Sequence, residues 1–277
     1  MIPHRGLGDY TSVTEKPGLW TTEEALRMLA TRYSVAADLG RGRDVLEVGC
    51  AAGIGLGWLA RGARRVVGAD ITAALLGQAK YQYGDKIALV RLDAEMLPFD
   101  AGTFDVILLC EAIYYLHSPS VFVAEARRLL RSGGQLLITS ANCEWTGFNP
   151  SPLSTRYWTA SELDRLLTNA GFQVQVAGAF WDGAAGSFSA RLLRLVRRLA
   201  VRFGVIPKSM KGKETLKRMF WKLEELPAEL HEGDAVAASL LPLDDETGGA
   251  KFRILYAIGT IPAEARVASI SGSSEDD

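Results

Sequence analysis

The chain of 277 residues has little of what most chemistry-bearing motifs require. Its three cysteines, Cys50, Cys110 and Cys143, are odd in number and sit in or beside apolar, strand-like runs. They exclude a disulfide framework and fit reduced thiols in a cytoplasmic protein. Three dispersed histidines give no metal-ligand spacing, so no metal site is expected. No apolar run approaches the roughly 20 residues that span a bilayer, and the start MIPHRGLGDY lacks a signal-peptide pattern. Net charge is only −1, so overall charge selects no partner. Also missing is G-x-G-x-x-G, the turn of a dinucleotide-binding fold.

What is present is ordinary globular composition, 48% hydrophobic and 23% charged, at a length that suits one large α/β domain with an embellishment. Residues 1–18 read as an arm rich in Gly, Thr and Pro. Thr21 or Thr22 caps a helix running to about Leu39, with Glu23 and Glu24 in its first turn. Strand and helix signals then alternate. Strands are expected at 44–48, 65–70, 88–92, 105–110 and 135–139, and helices at 55–61, 73–83 and 121–130. Runs such as VILLC and LLIT are apolar throughout, as when helices cover both sheet faces, which predicts a doubly wound parallel sheet. A capping box, Thr159 with Glu162, opens a helix over 160–170, and strands follow at 172–180 and 251–261.

The most distinctive stretch is VLEVGCAAGIG, residues 45–55: a buried strand containing Glu47, then a turn of small residues, then a helix start. Small residues let backbone approach a ligand, and the helix that follows presents free N–H groups. The turn reads Gly49-Cys50-Ala51-Ala52-Gly53 and resembles motif I of class I S-adenosylmethionine-dependent methyltransferases, written E-x-G-x-G-x-G, with Ala51 in place of the middle glycine. Three later stretches resemble the same family in the same order: Asp70 closing the second strand, LDAEMLPF at 92–99, and FDVILLCEAIYYL at 104–116. The likeness covers about 44–180.

The resemblance implies a Rossmann-like seven-stranded sheet, mostly parallel, with an antiparallel last strand and here a helical insertion between strands six and seven. It implies S-adenosyl-L-methionine as cofactor. Glu47 then belongs to the methionine end, Gly49, Cys50, Ala51 and Gly53 to the turn against the cofactor, and Asp70 to the ribose, with Ile71 also in contact with the cofactor. Asp93 and Ala94 meet the adenine, and Glu111 lies beside the cofactor. Candidate bases where the fourth strand ends are Glu111, Tyr114 and His117, with Tyr114 and Tyr115 as a pocket wall. The expected activity is methyl transfer to an O or N of a small acceptor such as a sugar, a lipid-linked molecule or a secondary metabolite. A cofactor-binding scaffold without transfer and an NAD-dependent oxidoreductase are the alternatives.

The expected organisation is an arm and helix over the cofactor site (1–40), a methyltransferase core (41–181), a basic helical insertion (182–250), the last core strand (251–265) and a disordered tail (266–277). The loop after strand five carries Asn149-Pro150-Ser151-Pro152 with Trp145, Phe148, Tyr157 and Trp158 around it, either an aromatic acceptor pocket or core. Residues 183–222 gather eleven basic residues against Glu214, and Leu192, Leu195, Leu199 and Phe203 recur at helical spacing. Three readings stay open: a stripe packed on the core, a lid that gathers an anionic acceptor, or peripheral contact with an anionic membrane or lipid-linked acceptor. No nucleic-acid-binding module accompanies the patch, so no nucleic acid partner is expected.

Overall fold

We describe the protein from a computed structural model, over residues 8–181, 223–243 and 249–263. In chain order the elements are β1 (Trp20–Thr22), α1 (Glu23–Gly40), β2 (Asp44–Val48), α2 (Leu56–Gly62), β3 (Arg65–Asp70), α3 (Ala73–Tyr83), β4 (Ala88–Arg91) and β5 (Phe104–Cys110). There follow α4 (Pro119–Leu129), β6 (Leu130–Ala141), α5 (Ala160–Asn169), β7 (Gln173–Trp181), β8 (Leu223–Glu225), β9 (Leu241–Pro242) and β10 (Phe252–Thr260).

The main sheet has the order β4-β3-β2-β5-β6-β10-β7-β9. Strands β4 to β6 are mutually parallel, while β10 runs antiparallel to both β6 and β7. This is the Rossmann-like sheet with a terminal antiparallel hairpin that the sequence predicts. The sheet holds eight strands, not seven, because the two-residue β9 adds an edge to β7. Parallel strands buried on both faces explain the uninterrupted apolar runs: all five residues of β2 are buried, Asp44 and Glu47 included.

Local signals set the helix starts. The Thr22 hydroxyl accepts from the Ala25 amide at the start of α1, and Thr159 and Glu162 form both bonds of the capping box on α5. On one face of the sheet α1 packs with Tyr33, Val45, Leu108, Leu137 and Tyr256; on the other, α4 and α5 pack Phe122, Leu129, Leu163 and Leu167 against Leu46, Ile107 and Ile138.

Residues 223–243 fall within the segment expected to be a helical insertion, and they are not helical. β8 pairs antiparallel with β1, Leu230 N–H bonds the Ile54 carbonyl, and Ala238 N–H bonds the Thr31 hydroxyl. Pro227 and Pro242 break helical continuity, and the backbone groups are satisfied by α1 and the turn before α2 instead. The basic amphipathic stretch and the acidic tail lie outside the described residues. No described helix is long and apolar enough to cross a membrane.

At the amino ends of the strands, away from the glycine turn, Asp44 meets Arg64 at 2.8 Å and Arg131 at 3.1 Å, and Asp105 meets the same arginines at 3.0 and 2.9 Å. The arginine bonds, Arg64 first, hold the Asp44 carboxyl down at about 2 against the opposing effect of burial.

Candidate active site

The turn after β2 is pinned to β3. Gly49 and Cys50 both donate to the Ala69 carbonyl, at 2.7 and 3.0 Å, and Ala51 N–H donates to Asp70 Oδ2 at 2.8 Å. Gly49, Ala51 and Gly53 have φ of +76°, +53° and +77°, so the turn alternates through the left-handed region. A Cβ on Gly53 would come within 3.1 Å of Ala79, Leu56 and Tyr83, which leaves that position little alternative to glycine. The Cys50 thiol is buried and pushed well up by that burial, so it is an inert filler.

Asp70 is buried at the carboxyl end of β3, its second oxygen accepting Thr72 N–H at 2.8 Å. Ile71, half-buried beside it, offers its carbonyl to Arg91 at 3.1 Å. Leu92 N–H bonds the Asp70 carbonyl, which draws the Asp93 loop to the same edge; there Asp93 accepts Glu95 N–H, and Ala94 packs on the core. The structure therefore brings the turn, Asp70, Asp93 and Ala94 to one edge, the carboxyl ends of the parallel strands.

Four residues that the motif reading does not reach complete this edge. Tyr10 of the arm sits with its ring centroid 5.0 Å from that of Tyr115 and its amide 3.4 Å from the Thr72 hydroxyl. Burial, then Asp93 and Asp70, raise its hydroxyl pKa, which places it among the acids expected to hold adenosine. Tyr33 of α1 donates to Glu47 Oε1 at 2.8 Å, with its ring lying on Gly55, where a Cβ would collide at 2.1 Å. Arg32, next to it, feels burial as a cost to its charge, which Glu111 and then Glu15 outweigh. Tyr256 of β10 lies opposite Thr139, buried, with no hydrogen-bond partner for its hydroxyl. None carries a local signal, since each reaches the site only through the packing of an element distant in sequence.

Glu47 is 1% exposed, and its Oε2 has no hydrogen-bond partner. Burial pushes its carboxyl up to about 7, with Tyr33 and Arg32 opposing the rise. Among the described residues Arg32 forms no ion pair within 4.0 Å. An orphan acid beside a guanidinium with no ion-pair partner among the described residues suits the zwitterionic end of an amino acid, and the small-residue turn with Asp70 and Asp93 suits an adenosine. The residues present thus fit S-adenosylmethionine.

Glu111, just past β5, has φ +52° and is held by three donors: Tyr114 Oη and Ala141 N–H at 3.2 Å, and Thr139 Oγ1 at 3.4 Å. Burial raises its pKa, Arg32 opposing. Tyr114 stacks on Tyr157 at 4.5 Å and meets Tyr115 edge-on at 4.6 Å. The loop 143–158 folds back onto this pair: Thr155 N–H bonds the Tyr114 carbonyl at 2.7 Å, and Ser151 accepts from Tyr115 and donates its amide to Tyr157, both at 2.8 Å. Phe148 meets Tyr157 edge-on, whereas Trp145 is buried under Arg253 and Trp158 lies under Arg156. His117 stands apart. It is exposed, and its backbone amide, with that of Ser118, bonds Glu95 at 2.7 Å where α4 begins. Among the described residues no cluster of His, Cys, Asp or Glu could hold a metal.

The family profile described as a methyltransferase domain matches residues 46–138. A probable S-adenosylmethionine-dependent methyltransferase of Mycolicibacterium smegmatis is 32% identical over 182 residues, covering 63% of this chain and 70% of the relative. The chain belongs to the S-adenosylmethionine-dependent methyltransferases. S-adenosylmethionine is its cofactor, and this methyltransferase is a transferase. A ubiquinone biosynthesis O-methyltransferase of Aromatoleum aromaticum is 28% identical over 120 residues, 42% of this chain and 51% of that relative. An S-adenosylmethionine-dependent methyltransferase of Thermotoga maritima shares the methyltransferase fold, with a TM-score of 0.52 at 16% identity, covering 86% of this chain and 92% of that one.

Proposed function

We propose that this methyltransferase transfers its methyl group to an oxygen of a small acceptor that lies against the Tyr114, Tyr115 and Tyr157 rings, with Glu111 as general base. The single observation that carries this reading is the Glu111 carboxylate, fixed at a strand end in a left-handed conformation by three donors and beside a stacked aromatic wall. A non-glycine residue held at positive φ at a site edge is a place where backbone strain is retained by its surroundings.

When bound, S-adenosylmethionine supplies a methyl on an already activated sulfonium. Arg32 and Glu47 would hold its amino-acid end, Asp70 its ribose and Asp93 its adenine. The tyrosine rings orient the acceptor and exclude water. As the C–O bond formed and the methyl C–S bond broke, leaving the neutral thioether S-adenosylhomocysteine, Glu111 would take the proton from the acceptor hydroxyl. A raised carboxyl pKa strengthens it as a base nearer to neutral pH. Tyr114 is the donor that steadies that carboxylate, since burial and Glu111 push its own hydroxyl well above the ordinary range. An O-methyltransferase among the relatives supports the choice of oxygen over nitrogen. The rings fit an aromatic or lipid-like acceptor.

The test is methyl transfer from labelled cofactor to phenols, sugars and lipid-linked alcohols, with Glu111→Gln alongside. We expect transfer to an oxygen, and a fall in kcat of about 100-fold in the variant. Activity in the wild type should rise with pH through the raised Glu111 pKa, because the base is the deprotonated form. A variant with undiminished kcat overturns Glu111 as base. Cofactor binding with no transfer to any acceptor supports a scaffold.

A further inference from the structure

The two edges of the main sheet are finished differently. β9 ends one of them with two residues, and its Pro242 has no N–H to offer a further strand. β4 ends the other with Ala88–Arg91, without proline, and among the described residues nothing pairs with its outer side. Leu92 N–H bonds the Asp70 carbonyl, so alternate residues turn their backbone groups toward β3, and those of Leu89 and Arg91 face outward. Such an edge is a template for another strand.

Beside this edge a groove of about 420 Å³ runs between α3 and β4, and none of the residues assigned to cofactor or acceptor lines it. Its walls are apolar, with Leu76 and Gly77 on the helix and Ile87 and Leu89 along the strand. Asp85, Ile87, Leu89 and Arg91 all line it at intervals of two residues, one row on one face. The Asp85 carboxylate is exposed and pairs with Lys80, and the exposed Arg91 donates its Nε to the Ile71 carbonyl. Gly77 stands inside α3, where a Cβ would meet no described atom within 4 Å. The packing of the described residues does not call for glycine there, and a mid-helix glycine costs stability relative to alanine. Its use is to let a neighbour approach the helix closely. Tyr81, one turn on, is 93% exposed.

We propose that the β4 edge and α3 form a self-association surface whose partner is a second copy of this chain. The row is self-complementary. Turned about a two-fold axis through Ala88, β4 runs antiparallel to its copy, Leu89 comes opposite Ile87, and Arg91 comes opposite Asp85, so each end gains an ion pair. Lys80 is level with Asp85 and Ile71 with Arg91, so the turn of α3 that carries Gly77 is level with Ala88 and falls near the same axis. The missing side chain lets the two α3 helices come together there, with the Tyr81 rings flanking the contact. The inference is independent of the acceptor and of Glu111.

Sedimentation velocity on the full chain, over a range of protein concentration, tests it. Wild type should pass from monomer to twice that mass with a micromolar or tighter Kd. Arg91→Glu and Asp85→Arg each set like charges opposite one another and should weaken association by about tenfold or more. The double variant restores opposite charges at both ends and should recover to within about threefold of wild type. Gly77→Leu should also weaken association, while the monomer melts no lower, because leucine is the better helix former and has open space there. A wild type that stays monomeric throughout overturns the proposal, whether its groove is empty or takes a strand from a different protein. A dimer that both single swaps leave unchanged forms elsewhere and also overturns it, as does a double variant no tighter than the singles.

Discussion

An alanine at φ +53° costs conformational energy that glycine would not, so Ala51 is strained where its family pattern has glycine. Its amide bond to Asp70 shows why the turn tolerates the methyl: the left-handed geometry is what aims that N–H at the carboxylate. Replacing Ala51 by Gly should raise stability by about 1 kcal/mol, the steric gain of roughly 1–2 less the extra freedom of glycine in the unfolded chain. A thermal melt reads this, and a lowered midpoint would sink it. Glu47 offers a second test. Its folded pKa of about 7 lies above its ordinary value, so the folded apoprotein holds a proton there that the unfolded chain releases. Stability from this group is full below about pH 4.5 and is lost as pH rises toward about 7, by at most ~3 kcal/mol. Glu47→Gln should flatten the slope of denaturation free energy over that window. An unchanged slope would assign it to other groups.

Among the elements, the amino-terminal arm and the segment that begins at Leu223 are joined to each other by backbone pairing. β1 and β8 form a two-stranded sheet, and Gly18 and Leu19 exchange bonds with Leu226. This clasp sets where Tyr10 and α1 begin, and α1 in turn delivers Arg32 and Tyr33 to the site. At the far end of the sheet, the ion-pair cluster joins β2, β3, β5 and β6. Asp44 is the most buried member at 9% side-chain exposure, whereas its arginine partners are 38–58% exposed. Its depressed pKa contributes stability that is present above about pH 4 and lost as pH falls toward about 2. With screening at the exposed arginines, Asp44→Asn should cost about 1–2 kcal/mol at pH 7 and much less near pH 2, by denaturant titration at the two pH values. An equal cost at both would show that the loss is packing, not charge.

For the whole molecule, cofactor binding and folding are linked, since the site is assembled from the arm, α1 and four strand ends. Saturation with S-adenosylmethionine at 100 times its Kd should add about 2.7 kcal/mol, a rise of several degrees in Tm. Asp70→Ala should abolish most of that rise and most of the calorimetric heat, and an undiminished shift would dismiss Asp70 as a cofactor ligand. The periodicities and caps of the chain were enough for the sheet, its helices and the terminal hairpin, because apolar alternation, N-caps and glycine turns act within a few residues. The turn, Asp70 and Asp93 were legible for the same reason: each is tied to a strand end. The placement of Arg32, Tyr33, Tyr10 and Tyr256 was not, because it depends on which helix and strand faces meet, and no local pattern encodes that meeting. The same holds for residues 223–243, whose backbone bonds to α1 and β1 override any helical preference, and for Glu111 and the loop 143–158, brought together only when β5 and β6 lie side by side.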